Sequence, residues 1–113
     1  MTKYYQVLIS AEDTKQANVI LDALLKKKLI LGGPVLTGPA RFWWKDKIVK
    51  MSYSYILSYT RSDLKKLVIS EVEKASEEEV PMVSFIAMEG NKKLLDLLNK
   101  TLKERLRHRN SEN

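Results

Sequence analysis

The stretch from Arg41 to Thr60, RFWWKDKIVKMSYSYILSYT, sets the tightest limit on what this chain can fold into. It gathers Phe42, Trp43, Trp44, Tyr53, Tyr55 and Tyr59 around one polar turn signal, Trp44-Lys45-Asp46-Lys47. From Ile48 the residues alternate. Ile48, Lys50, Ser52, Ser54, Ile56 and Ser58 fall on one side, and Val49, Met51, Tyr53, Tyr55, Leu57 and Tyr59 on the other. The second set is almost wholly apolar or aromatic, which predicts a strand that buries that side. The run ending at Trp44 is its natural antiparallel partner through a short polar connection. A strand of about twelve residues outlasts the usual five or six. The excess needs a cover, and a second copy of the chain is the simplest one.

The rest of the sequence supplies elements in an order that fits such a hairpin. Tyr4 to Ser10 is a β-branched and aromatic run, followed by Asp13 as a helix N-cap with Gln16 as its capping-box partner. Ala17, Ile20, Leu21, Leu24 and Leu25 then recur at helical spacing, and the helix is expected to stop near Leu29 to Leu31, before Gly32-Gly33-Pro34. Val35 to Trp44 reads as the second strand, with Gly38-Pro39 marking a bulge, a bend or a sheet edge. After the long strand, Ser62 and Asp63 suit the start of a helix with Leu64, Leu67, Val68, Val72 and Ala75 as its apolar stripe. Met82 to Met88 reads as a fourth strand, and Gly90-Asn91 turns the chain into a last helix carrying Leu94, Leu95, Leu98, Leu102 and Leu106. The sum is βαββαβ plus a C-terminal helix, an α+β, ferredoxin-like pattern. Its antiparallel sheet holds helices on one face and leaves the other to be covered by a partner. Residues 1–107 are expected to form one domain and 108–113 a frayed polar tail.

The 113 residues contain no cysteine, which removes disulfides, thiolate metal sites and cysteine nucleophiles together. No signal peptide and no apolar run of membrane-spanning length is evident, so the expectation is a soluble, cytoplasmic protein without a membrane partner. The net charge of +6 raises nucleic acid as a partner. Its lysines and arginines lie in three clusters: 26 to 28; Arg41, Lys45, Lys47 and Lys50; and Lys100 to Arg109. The RNA-recognition pattern of exposed aromatics on central strands is absent from both Tyr4 to Ser10 and Lys47 to Tyr59, so nucleic-acid binding stands as the alternative reading.

These residues resemble the CutA proteins, or divalent-cation tolerance proteins. The resemblance rests on Phe42-Trp43-Trp44 before a polar turn, Thr60 closing the long strand, Glu79-Val80-Pro81 before the fourth strand, and Gly90-Asn91 before an apolar helix. It covers roughly residues 5 to 102 and implies a homotrimer whose long hairpins reach between subunits, an architecture shared with the PII signal transducers. It further implies a non-catalytic role in divalent-cation tolerance, or the binding of a small ligand at a subunit cleft. Two departures stand out. Ile30-Leu31-Gly32-Gly33-Pro34 replaces the family's Ala-Ala-Cys-Val-Asn, and Ser76-Glu77-Glu78 replaces its His-Pro-Tyr. Of the proposed metal ligands only Glu79 survives, and a lone carboxylate suits at most a weakly bound hard divalent cation.

The adjacent Trp43 and Trp44 point to opposite faces of a strand. Either one fills a core or trimer interface while the other lies along a subunit boundary, or, as the resemblance implies, Trp44 lines an inter-subunit cleft with Tyr55 and Glu79. Glu77 to Glu79 read as a solvated face or as a cation attractor. His108 sits in a basic tail with no neighbour to make it a base. Ser52, Ser54 and Ser58 have no histidine nearby to activate them. Gly32-Gly33-Pro34 ends a helix and lacks the lysine of a phosphate loop. The sequence offers no catalytic set, and an enzyme is not expected.

Overall fold

A computed structural model describes residues 3–104. The expected helix end at Leu106, the arginines at 105, 107 and 109, His108 and the tail 108–113 lie outside the described residues. Strand β1 (Tyr4–Ala11) leads to helix α1 (Thr14–Lys26), strands β2 (Val35–Trp44) and β3 (Lys47–Arg61), a 3-10 turn (Ser62–Leu64), helix α2 (Lys65–Ala75), strand β4 (Val83–Ala87) and helix α3 (Lys92–Thr101). The strands form one antiparallel sheet in the order β2-β3-β1-β4, the split βαβ arrangement expected from the element order.

Asp13 caps α1 by accepting the Gln16 backbone N–H at 2.8 Å, as its position predicts. The capping box does not close: the Gln16 side chain accepts instead from the Glu77 backbone N–H at 2.6 Å. Helix α1 stops at Lys26, earlier than its apolar pattern suggests, because Lys28 turns left-handed (φ 56°). Leu29 and Ile30 then enter the core as loop residues. Ser62 makes no side-chain cap. Asp63 instead grips the Arg61 guanidinium through two bonds of 2.9 and 3.1 Å, and Arg61 also donates to the Lys103 carbonyl at 2.6 Å.

Strand β3 buries a different face from the one its alternation suggested. Ser54, Ile56, Ser58 and Thr60 are fully buried beneath α1 and α2, with Val7, Ile9 and Ala11 of β1. On the other side Tyr53 is buried, Met51, Leu57 and Tyr59 are half-buried, and Tyr55 is exposed. The reason is hydrogen bonding to the segment between α1 and β2. Ser58 Oγ accepts from the Gly32 N–H at 2.9 Å and donates to the Gly32 carbonyl at 3.1 Å, and Thr60 Oγ1 donates to the Leu29 carbonyl at 2.7 Å. These hydroxyls satisfy the backbone of the segment running from α1 to β2, so their burial costs little.

Gly38 and Pro39 sit in unbroken register opposite Tyr53 and Ser52, so there is no bulge. Pro39 is tolerated because β2 is the sheet edge. Strand β1 pairs with β3 only from Ser54 to Arg61, whereas β2 pairs with it back to Lys47. The outer half of the hairpin is therefore a two-stranded ribbon beyond the four-stranded sheet. A chain of this length packed evenly would have a radius of gyration of about 13 Å; the observed value is 15.3 Å. Helix α3 reaches the face opposite α1 and α2, where Asn99 Nδ2 donates to Tyr4 Oη at 2.8 Å.

Candidate functional site

The ribbon turns through Lys45 and Asp46, both left-handed (φ 51° and 67°), with Trp44 and Lys47 closing the pair. Positive φ at both central residues is the type I′ geometry that matches strand twist. Register places Leu36, Gly38, Ala40, Phe42 and Trp44 of β2 on the same face as Tyr55, Tyr53, Met51, Val49 and Lys47 of β3. This is the face away from α1 and α2. Along it Tyr55 meets Tyr53 edge to face at 5.7 Å, and Tyr53 meets Phe42 at 5.2 Å.

The connection from α2 to β4 lies against this aromatic row and is pinned through Glu78. Its carboxylate accepts from Ser10 Oγ at 2.9 Å and from the Tyr53 hydroxyl. Ser10 Oγ in turn accepts from the Met82 N–H at 2.9 Å. Burial, reinforced by the hydrogen bond to Glu78, raises the Tyr53 pKa above its ordinary value near 10. Glu79 points outward and pairs with Lys45 at 3.3 Å, and the same ammonium lies 5.4 Å from the Trp44 ring centroid.

The structure thus joins two of the three residues singled out for a ligand cleft. Lys45 links Trp44 to Glu79. Tyr55 shares their sheet face but stands eight residues along β3 from Lys47, the partner of Trp44, roughly 26 Å at strand rise. Within one chain the three do not enclose a common cavity. Trp43 projects from the opposite face and is 71% exposed, while Trp44 and Tyr55 are 38% and 36% exposed. In the sequence Glu78 stands only within the run Glu77 to Glu79, read as a solvated face or a cation attractor, and Lys45 only as a turn residue in a basic cluster. The only signal was a glutamate three residues before Pro81, in the middle of that run, and a lysine in the turn.

The residues present do not fit a divalent-cation centre. Both Glu78 oxygens hold hydroxyl donors and Glu79 holds an ammonium. Among the described residues no group of three or more acidic, histidine or cysteine side chains converges. No described helix is long and apolar enough to cross a membrane.

A ferredoxin-like sheet with an overlong, aromatic-faced hairpin and a carboxylate-bearing loop against it defines a class of small α+β proteins whose hairpin projects beyond the sheet as a ribbon. The particular family follows from comparison: residues 5–101 match the family model of the CutA1 divalent ion tolerance protein, and the chain belongs to that family. Among solved structures, the periplasmic divalent cation tolerance protein CutA from Archaeoglobus fulgidus is similar at 27% identity, over 88% of this chain and 99% of that one, with a TM-score of 0.83. CutA1 from Oryza sativa (19% identity, 91% and 96% covered, TM-score 0.84) and CutA1 from Pyrococcus horikoshii (23%, 88% and 99%, TM-score 0.83) share the fold. None of the curated proteins matches.

Proposed function

We propose that the protein works as a CutA-type homotrimer. In this reading it is a non-catalytic cytoplasmic protein of divalent-cation tolerance that acts by holding a small ligand, in the PII manner, in clefts between subunits. The observation that carries this reading is the uncovered ribbon. It leaves Trp43, Trp44 and Ile48 exposed on one chain, with Leu36 and Tyr55 exposed where the hairpin joins the sheet, and an isolated two-stranded ribbon is at best marginally stable in water. Hydrophobic surface of this extent calls for a partner, and a second and third copy supply one by symmetry. In such an assembly Tyr55 of one chain can approach Trp44 and Glu79 of another, completing the cleft that a single chain leaves open.

Because the carboxylates present are engaged by hydroxyls and an ammonium, the ligand of that cleft is an organic molecule stacked on aromatic side chains, not a bare cation held by Glu79. The nucleic-acid reading finds no support in the comparisons.

The test is the mass in solution by light scattering. A trimer has three times the 13.1 kDa of one chain, and that is the expected result. A mass of one chain at micromolar concentration overturns the assembly and the inter-subunit cleft with it.

A further inference from the structure

The helix layer carries a groove of about 390 Å³ to which no residue of the ribbon contributes. One wall is α2, whose Leu67, Ser70, Glu71 and Lys74 are spaced three, four and seven apart and so share a helix face. The facing wall is Lys27, the C-cap of α1, with the buried Leu29 beyond it. Glu71 Oε1 accepts from the Lys27 ammonium at 2.8 Å and stands 3.9 Å from that of Lys74, so two ammonium groups share one carboxylate oxygen. A third, Lys103, closes the groove from the segment after α3. Its backbone is held at both ends: the N–H donates to the Lys28 carbonyl at 2.8 Å, and the carbonyl accepts from Arg61 at 2.6 Å. Arg61 is itself buried and locked to Asp63, so Lys103 stands on a fixed support. Among the described residues no carboxylate pairs with the Lys103 ammonium. Three ammonium groups against one carboxylate leave the groove with positive charge in excess.

We propose that this groove binds a small soluble anion carrying two adjacent phosphate groups, a diphosphate. The ammonium of lysine is a point charge with three rotatable donors, which suits phosphate oxygens approached from several directions. Ser70 adds a hydroxyl on the same face of α2. The α2 wall from Leu67 to Lys74 runs roughly 10 Å at helical rise, longer than a single phosphate. A diphosphate therefore reaches lysines that one phosphate cannot span together, and it balances the excess charge. Glu71 acts in both directions: it orients Lys27, and it opposes the anion, so it limits the affinity. The groove volume falls within the range of small-molecule sites. The site is built within one chain, from residues apart from Trp44, Tyr55 and Glu79, and does not rest on the proposed subunit cleft.

The test is calorimetric titration of the full chain, in metal-free buffer, with pyrophosphate and in parallel with inorganic phosphate. Lys74→Gln, Lys103→Gln and Glu71→Gln are titrated beside the parent, and Lys66→Gln, on α2 but outside the groove, is the charge control. The expected result is saturable binding of pyrophosphate at one site per chain, weakening with added salt. Lys74→Gln and Lys103→Gln each weaken it at least about fivefold, as loss of an exposed charged contact does. Glu71→Gln tightens it, because the groove loses its only negative charge. Lys66→Gln changes it less than about twofold, and inorganic phosphate binds at least about fivefold more weakly than pyrophosphate. Both lysine variants of the groove keep the parent's circular dichroism, since their side chains are exposed. The proposal is overturned by the absence of saturable binding to the parent, by undiminished affinity in both groove lysine variants, by an equal loss in Lys66→Gln, or by equal affinity for the two anions. Binding to a short single-stranded DNA, or to phosphatidylcholine vesicles containing phosphatidylglycerol, without saturable binding of pyrophosphate assigns the lysines to an extended anionic partner and overturns it too. Light scattering on the same samples reads the assembly separately: a monomer that binds pyrophosphate upholds this site, and a trimer that does not bind it removes this site alone.

Discussion

At Gly33 the chain has room for a hydrogen and nothing larger, since a Cβ there would overlap the carbonyl oxygen of Leu57. The obstacle is backbone held in the sheet, which cannot swing aside. Gly33→Ala is therefore expected to cost at least about 2 kcal/mol in urea unfolding. Gly38 is the contrast, with nothing within 4 Å of a Cβ. Gly38→Ala is expected to leave stability unchanged or raise it by up to about 1 kcal/mol. Tyr53 gives a pH signature. Its pKa is raised in the folded chain by burial and by the bond to Glu78, so above pH 10 the unfolded chain loses the phenolic proton first. The stability this provides is present in full below about pH 10 and is lost as pH rises beyond it. The melting temperature should fall above pH 10, and fall less steeply in Tyr53→Phe; equal slopes in the two proteins would remove Tyr53 as the cause. From sequence, Tyr53 was one aromatic in an alternating row. Its partner Glu78 comes from 25 residues away, and no local pattern announces such a pairing.

At the scale of elements, the hairpin is defined by its turn. Lys45 and Asp46 both take positive φ without being glycine, a conformation that costs an ordinary residue about 1 kcal/mol and aspartate somewhat less. Asp46→Gly keeps the Lys45 contacts and removes one of these costs. It is expected to raise the unfolding free energy by about 0.5 kcal/mol, read from the urea midpoint; a lower midpoint would mean that the Asp46 side chain supports the turn. The elements themselves were readable in the sequence, because turn signals and caps act over a few residues. Asp13 capped its helix as expected, and Trp44-Lys45-Asp46-Lys47 closed its hairpin. The burial of β3 was not readable in the same way. Ser54, Ser58 and Thr60 look like a solvent face in sequence. They are core residues because the connection from α1 passes over them and their hydroxyls answer its N–H and carbonyl groups.

For the whole molecule, the question is what covers the ribbon. Trp44 and Tyr55 are each more than one-third exposed on a single chain, so truncating either in a lone monomer forfeits only part of a core contact. In the proposed trimer, where these rings would be buried, the same changes would cost roughly 3 to 5 kcal/mol per ring. Trp44→Ala and Tyr55→Ala are therefore expected to lower the melting temperature and to make the mass fall toward one chain on dilution. If both variants keep the parent's mass and melting temperature, the hairpin is not the assembly element. The sequence by itself determined the order of strands and helices, the long hairpin and the family. The elements rest on interactions between near neighbours and on periodicity, which a linear chain displays, and the family on a resemblance of short motifs in the same order. Only the tertiary structure decided which face of β3 lies under the helices, that Glu78 locks onto Ser10 and Tyr53, and that Arg41 faces Lys50 across the ribbon. Alternation marks two faces without saying what covers either, and contacts between distant residues exist only once the strands are in register.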